Sequence, residues 1–301
     1  MTSGVHHIDS RDSIVVMYSG GLDSTLSAVK AADRFKRVIL MTCDFKLTVG
    51  LNNSRRNVEK LRRRFPKRTI EHRIVDGNPA RRRLWASFLG DYAKYCDSRV
   101  PSVLCFGCEL SMLVEAMKIC LVERVGHITN GASSSQADHT VCKPNIVNRF
   151  ADFMAEYGIT YVNDIYYMKT RLEEEEALAS QGITMGVRVG ASSVTHQPRC
   201  FIGPPTTLWA ARHPVKAKQM ERYFDDKKEL LREILEPYAS LAKDLESRRE
   251  TGFRADPYFK YQHTHEFGPH IDRMLAGALT PLWWLSRCAF HLGRRTEKWR
   301  G

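Results

Sequence analysis

Several common features are missing from this sequence of 301 residues, and each absence narrows what the protein can be. Residues 1–11 are polar and contain no apolar run of the kind that forms the core of a secretion signal. No stretch is apolar enough for a membrane span, since even residues 275–292 contain Pro281, Arg287 and His291. Internal repeats and low-complexity segments are also missing. We therefore expect a globular cytoplasmic protein whose cysteines are buried, metal-bound or reactive rather than paired in disulfides.

Acidic residues are the minority among the charged residues, with 34 Asp and Glu against 46 Lys and Arg. The basic excess is concentrated in residues 54–83, where twelve Lys or Arg stand against three acidic residues. Such a patch is typical of proteins that bind an anionic partner such as RNA, and equally of a solvated helix that keeps a protein soluble. The candidate RNA-binding residues are Arg55, Arg56, Arg62, Arg63, Arg64, Arg81, Arg82 and Arg83.

Short apolar strands alternate with helical segments through the first 200 residues. Residues 13–18 and 37–44 are rich in aliphatic side chains and predict buried strands, while residues 22–35 place apolar side chains at helical spacing between them. Further strands are predicted at 69–75, 127–130 and 159–167, and further helices at 53–65, 108–122, 148–157, 171–181 and 216–249. This order predicts an α/β fold with a parallel sheet and helices on both faces. Gly203-Pro204-Pro205 predicts a linker, which gives a domain over residues 1–203 and a mostly helical C-terminal segment over 204–301.

The sequence Ser-Gly-Gly-Leu-Asp-Ser at residues 19–24 separates the first strand from the first helix. Amides at a helix start have no partner inside the helix, the helix dipole is positive there, and two glycines let the backbone approach phosphate oxygens. The carboxylate of Asp23 suits Mg²⁺ held against those phosphates. The loop has neither the Gly-Lys-Ser/Thr ending of a Walker-type loop nor a dinucleotide-binding G-x-G-x-x-G, which argues against γ-phosphate hydrolysis and hydride transfer.

The hexapeptide resembles the signature loop of the PP-loop ATP pyrophosphatases, and the resemblance covers about residues 13–203. It implies a Rossmann-like (HUP-type) sheet, binding of ATP and Mg²⁺, and cleavage of ATP between the α and β phosphates to attach AMP to a substrate. It also implies an ATP site formed by Ser19, Gly20, Gly21, Leu22, Asp23, Ser24, Thr25, Met41, Thr42, Asp44 and Gly131. Independently, Asp44 ends a predicted strand at the sheet edge where ligands of open α/β folds bind.

Residues 131–138 depart from the pattern of that group. Many members carry Gly-His here, whereas Gly131 is followed by Ala132. The region is faintly similar to the 7-cyano-7-deazaguanine synthases, but their four-cysteine zinc cluster is missing from this sequence. Ser133 and Asp138 stay candidates for the nucleotide or substrate pocket beside Gly131, with an ordinary polar loop as the alternative.

Three of the eight cysteines have spacing that suggests chemistry. Cys105 and Cys108 form a C-x-x-C that is predicted to lie just ahead of a helix, where the pKa of a thiol is lowered, and Cys200 follows ninety-two residues later. A persulfide-carrying pair, a zinc site completed by His139 or His196, and simple buried thiols are three alternatives. Cys43, Cys96, Cys120 and Cys288 are expected to be packing residues, and the role of Cys142 stays open.

The three-cysteine arrangement also resembles PP-loop tRNA thiolases that carry a [4Fe-4S] cluster. That resemblance implies that Cys105, Cys108 and Cys200 bind three irons and act in catalysis with Asp23. The favoured function is sulfur insertion into a tRNA base, with a sulfur donor protein as a further partner. Adenylation of a small molecule for nitrogen or sulfur addition is the second hypothesis, and non-catalytic nucleotide binding is the third. The C-terminal segment is expected to clamp RNA, cover the site or form a homodimer.

Overall fold

The computed structural model describes residues 12–46, 48–95, 102–136, 140–184, 187–189, 192–194, 199–200 and 217–250. The chain divides into two compact units, Met1–Asp244 and Leu245–Gly301. The first unit contains the whole main sheet and the candidate site. The predicted linker at 203–205 lies outside the described residues, as do Cys96, Asp138 and Cys288, so the domain boundary after residue 203 stays a prediction.

Five parallel strands form the main sheet, in the order β4-β2-β1-β5-β6. They are β1 (Ser13–Met17), β2 (Arg37–Asp44), β4 (Thr69–Asp76), β5 (His127–Thr129) and β6 (Thr160–Tyr161). Ser13 lies opposite Arg37 and Met17 opposite Met41, and the other neighbouring strands also pair in parallel. The predicted α/β fold with a parallel sheet is confirmed. Strand β6 is shorter than the predicted run 159–167, because a turn follows Tyr161.

Side chains alternate between the two faces of the sheet, and each face is covered by helices. Val15 and Met17 of β1 face a core that also holds side chains of α5, α6 and α8, whereas Ile14 and Val16 face a core formed with α1 and α2. The helices of the described residues are α1 (Leu22–Arg34), α2 (Asn53–Arg64), α3 (Asn78–Trp85), α4 (Phe88–Tyr95), α5 (Ser102–Glu123), α6 (Pro144–Ala155), α7 (Arg171–Ser180) and α8 (Ala217–Glu250).

Helix boundaries differ from the predictions in two places that matter for the site. Helix α5 begins at Ser102 rather than at 108, so Cys105 and Cys108 lie within its first two turns instead of ahead of it. Helices α3 and α4 were not predicted at all. Gly182, by contrast, takes the left-handed conformation (φ 71°) just past α7, as predicted for a glycine that ends a helix.

Two small antiparallel pairs accompany the main sheet. Strand β3 (Thr48–Val49) pairs with β9 (Arg199–Cys200), and Thr48 lies opposite Cys200. Strand β7 (Val187–Val189) pairs with β8 (Ser192–Val194). The β3–β9 pairing brings Cys200 next to the segment that follows β2, although the two are about 150 residues apart in the chain.

Helix α8 contributes to the core on the α5 side of the sheet. Its Met220, Tyr223 and Phe224 are almost completely buried, and the Phe224 ring lies 5.6 Å from the Phe150 ring of α6. The predicted C-terminal helix therefore forms part of the folded unit that carries the site. None of the helices in the described ranges combines the length and apolar character that crossing a bilayer requires.

Candidate active site

A cavity of about 530 Å³ opens at the carboxyl ends of the central strands. Strands β1 and β5 are neighbours in the sheet, but the chain continues from β1 to β2 on one side and from β5 to β6 on the other. The connections that follow these two strands therefore diverge at this point. In open α/β sheets, ligands bind at such a switch point. The cavity is lined by Ser19, Asp23 and Ser24 from the loop after β1, and by Asn130 and Gly131 from the loop after β5.

The loop after β1 is held in shape by its own hydrogen bonds. The hydroxyl of Ser19 accepts from the amide of Gly21 at 3.2 Å, and the hydroxyl of Ser24 accepts from the amide of Ser19 at 3.2 Å. Gly20 is in the left-handed region (φ 75°), which glycine adopts without strain. Asn57 of α2 donates to the Gly20 carbonyl at 3.0 Å. The turn that was predicted to hold phosphate is thus held in shape by hydrogen bonds within the loop and from α2.

The loop after β5 packs directly on the start of α1. A Cβ atom at Gly131 would lie 2.9 Å from the amide nitrogen of Ser24 and 3.1 Å from the Asp23 Cβ. The hydroxyl of Ser27 donates to the Asn130 carbonyl at 2.7 Å, which fixes the two loops together. Only glycine fits at position 131 without moving the first turn of α1. Leu22 and Thr25 are buried in that turn and do not line the cavity.

Asp23 is bonded to two side chains that sequence analysis missed. Arg171, the first residue of α7, donates through Nη1 to both carboxylate oxygens of Asp23 at 2.8 and 3.1 Å. Gln136 donates to Asp23 Oδ2 at 2.7 Å. Both partners line the cavity beside Asp23. The carboxylate proposed for Mg²⁺ is therefore held by a cation of the chain itself, whose side chain is 42% exposed and has room to move.

Glu174 lies behind Asp23 and is completely buried. Its Oε1 accepts from the hydroxyls of Ser133 and Ser135, each at 2.6 Å, and its Oε2 lies 3.6 Å from Arg171 Nη1. Burial, with the Asp23 carboxyl beside it, raises the pKa of Glu174 to about 7. Ser133, a predicted pocket residue, thus orients Glu174 rather than lining the cavity.

The second strand contributes two of its three predicted site residues. Met41 and Thr42 line the cavity, and the Thr42 hydroxyl donates to the Tyr18 carbonyl at 2.7 Å. Because that hydroxyl is used as a donor, His72 Nε2, 2.9 Å away, fits best as the donor to Thr42 Oγ1. Asp44 lies outside the cavity lining, where the amide of Lys46 donates to its Oδ1 at 2.8 Å.

Cys105, Cys108 and Cys200 line the same cavity, and Cys105 and Cys200 are near enough to Cys108 to interact with it electrostatically. Cys43 and Cys142 also line the cavity, and Cys142 is near Asp23. Cys105 is exposed, while Cys108 and Cys200 are partly buried. The predicted lowering of the thiol pKa is wrong for Cys108, because burial raises the pKa of this thiol to about 12 and Arg81 nearby offsets only part of that effect. Cys120 is buried away from the cavity, in line with a packing role, whereas Cys43 is buried but also lines the cavity.

The three thiols share one cavity but do not form a preassembled site for a single metal ion. Among the described residues, no three Cys, His, Asp or Glu side chains converge closely enough to hold a single ion. A four-iron cluster holds its cysteine sulfurs further apart than one ion does, and thiolates are its ordinary ligands. His139 and His196, the proposed zinc ligands, lie outside the described residues.

The predicted RNA-binding arginines divide into separate groups. The prediction that Arg81 belongs to an exposed RNA-binding face is wrong, because this residue is buried and lines the cavity that also contains the cysteines. Arg82 and Arg83 are partly buried, and Arg83 donates to Glu233 of α8 at 2.7 Å. The arginines of α2 are exposed, as a basic face requires; they are Arg55, Arg56, Arg62, Arg63 and Arg64.

Glu109 is another cavity residue that sequence analysis missed. It follows Cys108 on α5, lines the cavity, and has no hydrogen bond or ion pair within the described part of the chain. Protein atoms surround its carboxyl group, and this burial raises the pKa of Glu109 to about 7. Its position directly after the C-x-x-C is the sequence feature that could have identified Glu109 as a residue of the site.

Fold and loop together make this chain similar to the PP-loop ATP pyrophosphatases: a parallel α/β sheet carries a Ser-Gly-Gly-Leu-Asp-Ser loop at its switch point. No protein-family profile and no curated protein matches the chain. Among solved structures, a protein from Methanocaldococcus jannaschii described as a predicted subunit of tRNA methyltransferase has 13% sequence identity and a TM-score of 0.37, over 69% of this chain and 91% of its own.

A second solved structure is the U34-tRNA thiolase NcsA from Methanococcus maripaludis with its [4Fe-4S] cluster. It has 14% sequence identity and a TM-score of 0.36, over 77% of this chain and 72% of its own. Similarity at this level identifies neither a family nor an activity, so the interpretation of the site rests on its own residues.

Proposed function

We propose that this chain is an ATP-dependent adenylating enzyme that inserts sulfur into a base of tRNA. One observation carries the proposal: a single cavity is lined both by the phosphate loop and by Cys105, Cys108 and Cys200. ATP at the loop would then face a sulfur source in the same cavity. A protein that only bound nucleotide would have no use for thiols in the same cavity.

The reaction needs two displacements. The carbonyl oxygen of the base attacks the α-phosphorus of ATP, the bond to the β-phosphate breaks, and pyrophosphate leaves. Sulfide then attacks the base carbon that carries this oxygen. The carbon–oxygen bond breaks and AMP leaves with the oxygen, which gives a thiocarbonyl and releases a proton. Neither step changes the oxidation state of the base when the sulfur arrives as sulfide.

The residues of this chain would act mainly by position and charge. Amides at the start of α1, with the hydroxyls of Ser19 and Ser24, would hold the phosphates, and Asp23 would hold Mg²⁺ once Arg171 has moved from it. Preorganised donors of this kind stabilise the charge that develops on the phosphates. A [4Fe-4S] cluster on Cys105, Cys108 and Cys200 would supply a place where sulfide is held ready for transfer.

The exposed arginines of α2 support the choice of tRNA. The side chains of Arg55, Arg56 and Arg63 have no hydrogen-bond or salt-bridge partner within the described residues, so their charges are available to phosphates. The two solved structures of similar fold bear names that refer to tRNA, but the proposal does not depend on them. A sulfur donor protein would be a further partner.

The test is the fate of ATP labelled in the α-phosphate, with tRNA and sulfide present. We expect AMP and pyrophosphate, and we expect Asp23→Asn to lose about 10²-fold or more in rate, because the metal-binding charge is lost. Asp33→Asn is the matched control, since Asp33 is exposed at the far end of the same helix. Release of ADP and phosphate, or equal rates for Asp23→Asn and wild type, would contradict the proposal.

Cluster binding is tested separately by iron and sulfide analysis of protein purified without oxygen. Cys108→Ala is expected to lose most of both elements. Cys120→Ala should retain them, because Cys120 is a buried thiol on the same helix that does not line the cavity. Equal iron in the two variants would contradict the assignment of Cys108.

A further inference from the structure

Arg81 is a buried cation whose hydrogen-bonding groups are mostly unsatisfied. Its side chain belongs to α3, and the residue is only 9% exposed. Nη2 donates to Asn78 Oδ1 at 2.5 Å, but Nε and Nη1 have no partner and are shielded from solvent. An unpaired polar group in the interior costs free energy, and a charged group costs more than a neutral one. Bound ions and ordered water satisfy such groups in native proteins.

No carboxylate of the described residues forms an ion pair with Arg81. The contrast is with Arg37 and Arg73, which are also partly buried but share the carboxylates of Glu71 and Glu123. Asp44 and Asp76 are near enough for their charges to act on Arg81, but neither forms an ion pair with its guanidinium group. Arg81 lines the cavity, and its unpaired Nε and Nη1 set it apart from Arg37 and Arg73.

The surroundings of Arg81 hold its guanidinium group in one place. The group lies over the Trp85 ring at 4.7 Å and over the Phe45 ring at 5.5 Å, both measured to the ring centroid. Both rings occupy space next to glycines: a Cβ at Gly77 would lie 2.4 Å from Phe45 Cε1, and a Cβ at Gly107 would lie 3.0 Å from Trp85 Nε1. This arrangement has the character of a built site, because two glycines make room for the rings that flank one cation.

The neighbours of Arg81 indicate which anion fits. Cys108 and Cys200 are near enough to Arg81 to interact with it electrostatically, as is Asp76, and Leu104, Glu109 and Met112 also line the cavity. A buried cation with two unpaired donors beside thiols suits a small, weakly hydrated monoanion. Phosphate groups need several donors at once, and those donors are in the loop after β1.

We propose that Arg81 forms a binding site for a small sulfur monoanion, hydrosulfide in its simplest form, beside the cysteines of the cavity. The identity of the anion as the sulfur source rests on the proposed function, whereas the site itself rests on Arg81 alone. Arg81 would hold the anion close to the three cysteines, and its positive charge would lower the cost of bringing a negative sulfur into a buried place.

Calorimetric titration with sodium hydrosulfide tests this site without ATP and without activity. The full chain is used iron-free and anaerobic, with Cys105, Cys108 and Cys200 all replaced by serine, so that neither iron nor a thiol can bind the sulfide. We expect Arg81→Met to weaken hydrosulfide binding about tenfold to a hundredfold, because a charge-assisted interaction is lost. Arg81→Lys should restore part of the affinity. Arg34→Met is the matched control, since Arg34 pairs with Asp164 on the surface of α1.

Two results would overturn the proposal. If hydrosulfide binds the Arg81→Met protein as tightly as the protein with Arg81, it does not use this site. If sulfate or phosphate binds at Arg81 as tightly as hydrosulfide, the assignment to a small sulfur monoanion is wrong. Crystals of the unaltered chain soaked in sodium iodide provide a second measurement if the Met variant does not fold. Anomalous scattering should then locate iodide beside Arg81, and its absence there rejects the site. If hydrosulfide binding depends on Arg81 but the protein does not cleave ATP, the Arg81 site is supported and the proposed function is refuted.

Discussion

Replacing Gly131 with alanine tests how closely the two loops of the nucleotide site are fitted together. The added Cβ would lie 2.9 Å from the Ser24 amide nitrogen and 3.1 Å from the Asp23 Cβ. A backbone nitrogen cannot rotate away as a side chain can, so the first turn of α1 must move. Overpacking of this kind costs about 1–3 kcal/mol, which lowers Tm by about 2–12 °C in a unit of this size. A displaced amide should also weaken ATP binding by on the order of 10²-fold.

Thermal unfolding and calorimetric titration with ATP and Mg²⁺ measure the two effects in the same preparations. Gly90→Ala is the matched control, because a Cβ at Gly90 in α4 meets nothing within 4 Å. Alanine is also the better helix former, so this control should be neutral or stabilising by up to about 1 kcal/mol. A Gly131→Ala protein with the wild-type Tm and the wild-type affinity for ATP would refute the reasoning about this contact.

Two further predictions concern charge. Burial raises the pKa of Glu174 from its ordinary 4.5 to about 7, so the wild-type unfolding free energy should fall as pH rises between these values. Because burial also raises the pKa of Glu109 to about 7, Glu174→Gln should show a smaller fall rather than none. It should be more stable than the wild type at pH 8 by about 1–3 kcal/mol in denaturant titrations, while exposed Glu176→Gln follows the wild type. For tRNA binding, Arg56→Gln with Arg63→Gln should reduce the slope of log K against log salt by about 1 per arginine. Arg232→Gln, which breaks a surface pair on α8, should leave that slope unchanged, and equal slopes for all three proteins would argue against the α2 face.

The sheet and the phosphate loop were predictable because their signals are local. An apolar run at 13–18 followed by two glycines reads as a buried strand and a tight turn, whatever the rest of the chain does. Gly182 was predictable for the same reason, since a glycine after an amphipathic stretch commonly ends a helix. The spacing of Cys105, Cys108 and Cys200 predicted that they act as one group, and the three residues line one cavity in the structure.

The charged residues of the site were not predictable from local composition. Arg81 stands in a run of three arginines that suggests an exposed face, yet it shares the buried side of α3 with Ala80 and Leu84. Glu174 stands in a run of four glutamates, and only its spacing of four residues from buried Leu178 indicates that it points inward. The pKa of Cys108 depends on how deeply distant parts of the folded chain bury its thiol. The rule that a helix start lowers the pKa of a thiol does not take that burial into account.

The attachment of Cys200 differs in kind from that of the other two cysteines. Cys105 and Cys108 lie on a helix of 22 residues, whereas β9 is joined to β3 by only two residue pairs. So short a ladder can open at a small fraction of the free energy of global unfolding. A group bound across all three thiols would tie β9 to α5, and amide hydrogen exchange at residues 48–49 and 199–200 should slow when that group is loaded. Removing it with a chelator should return those amides to fast exchange while the strands of the main sheet stay protected.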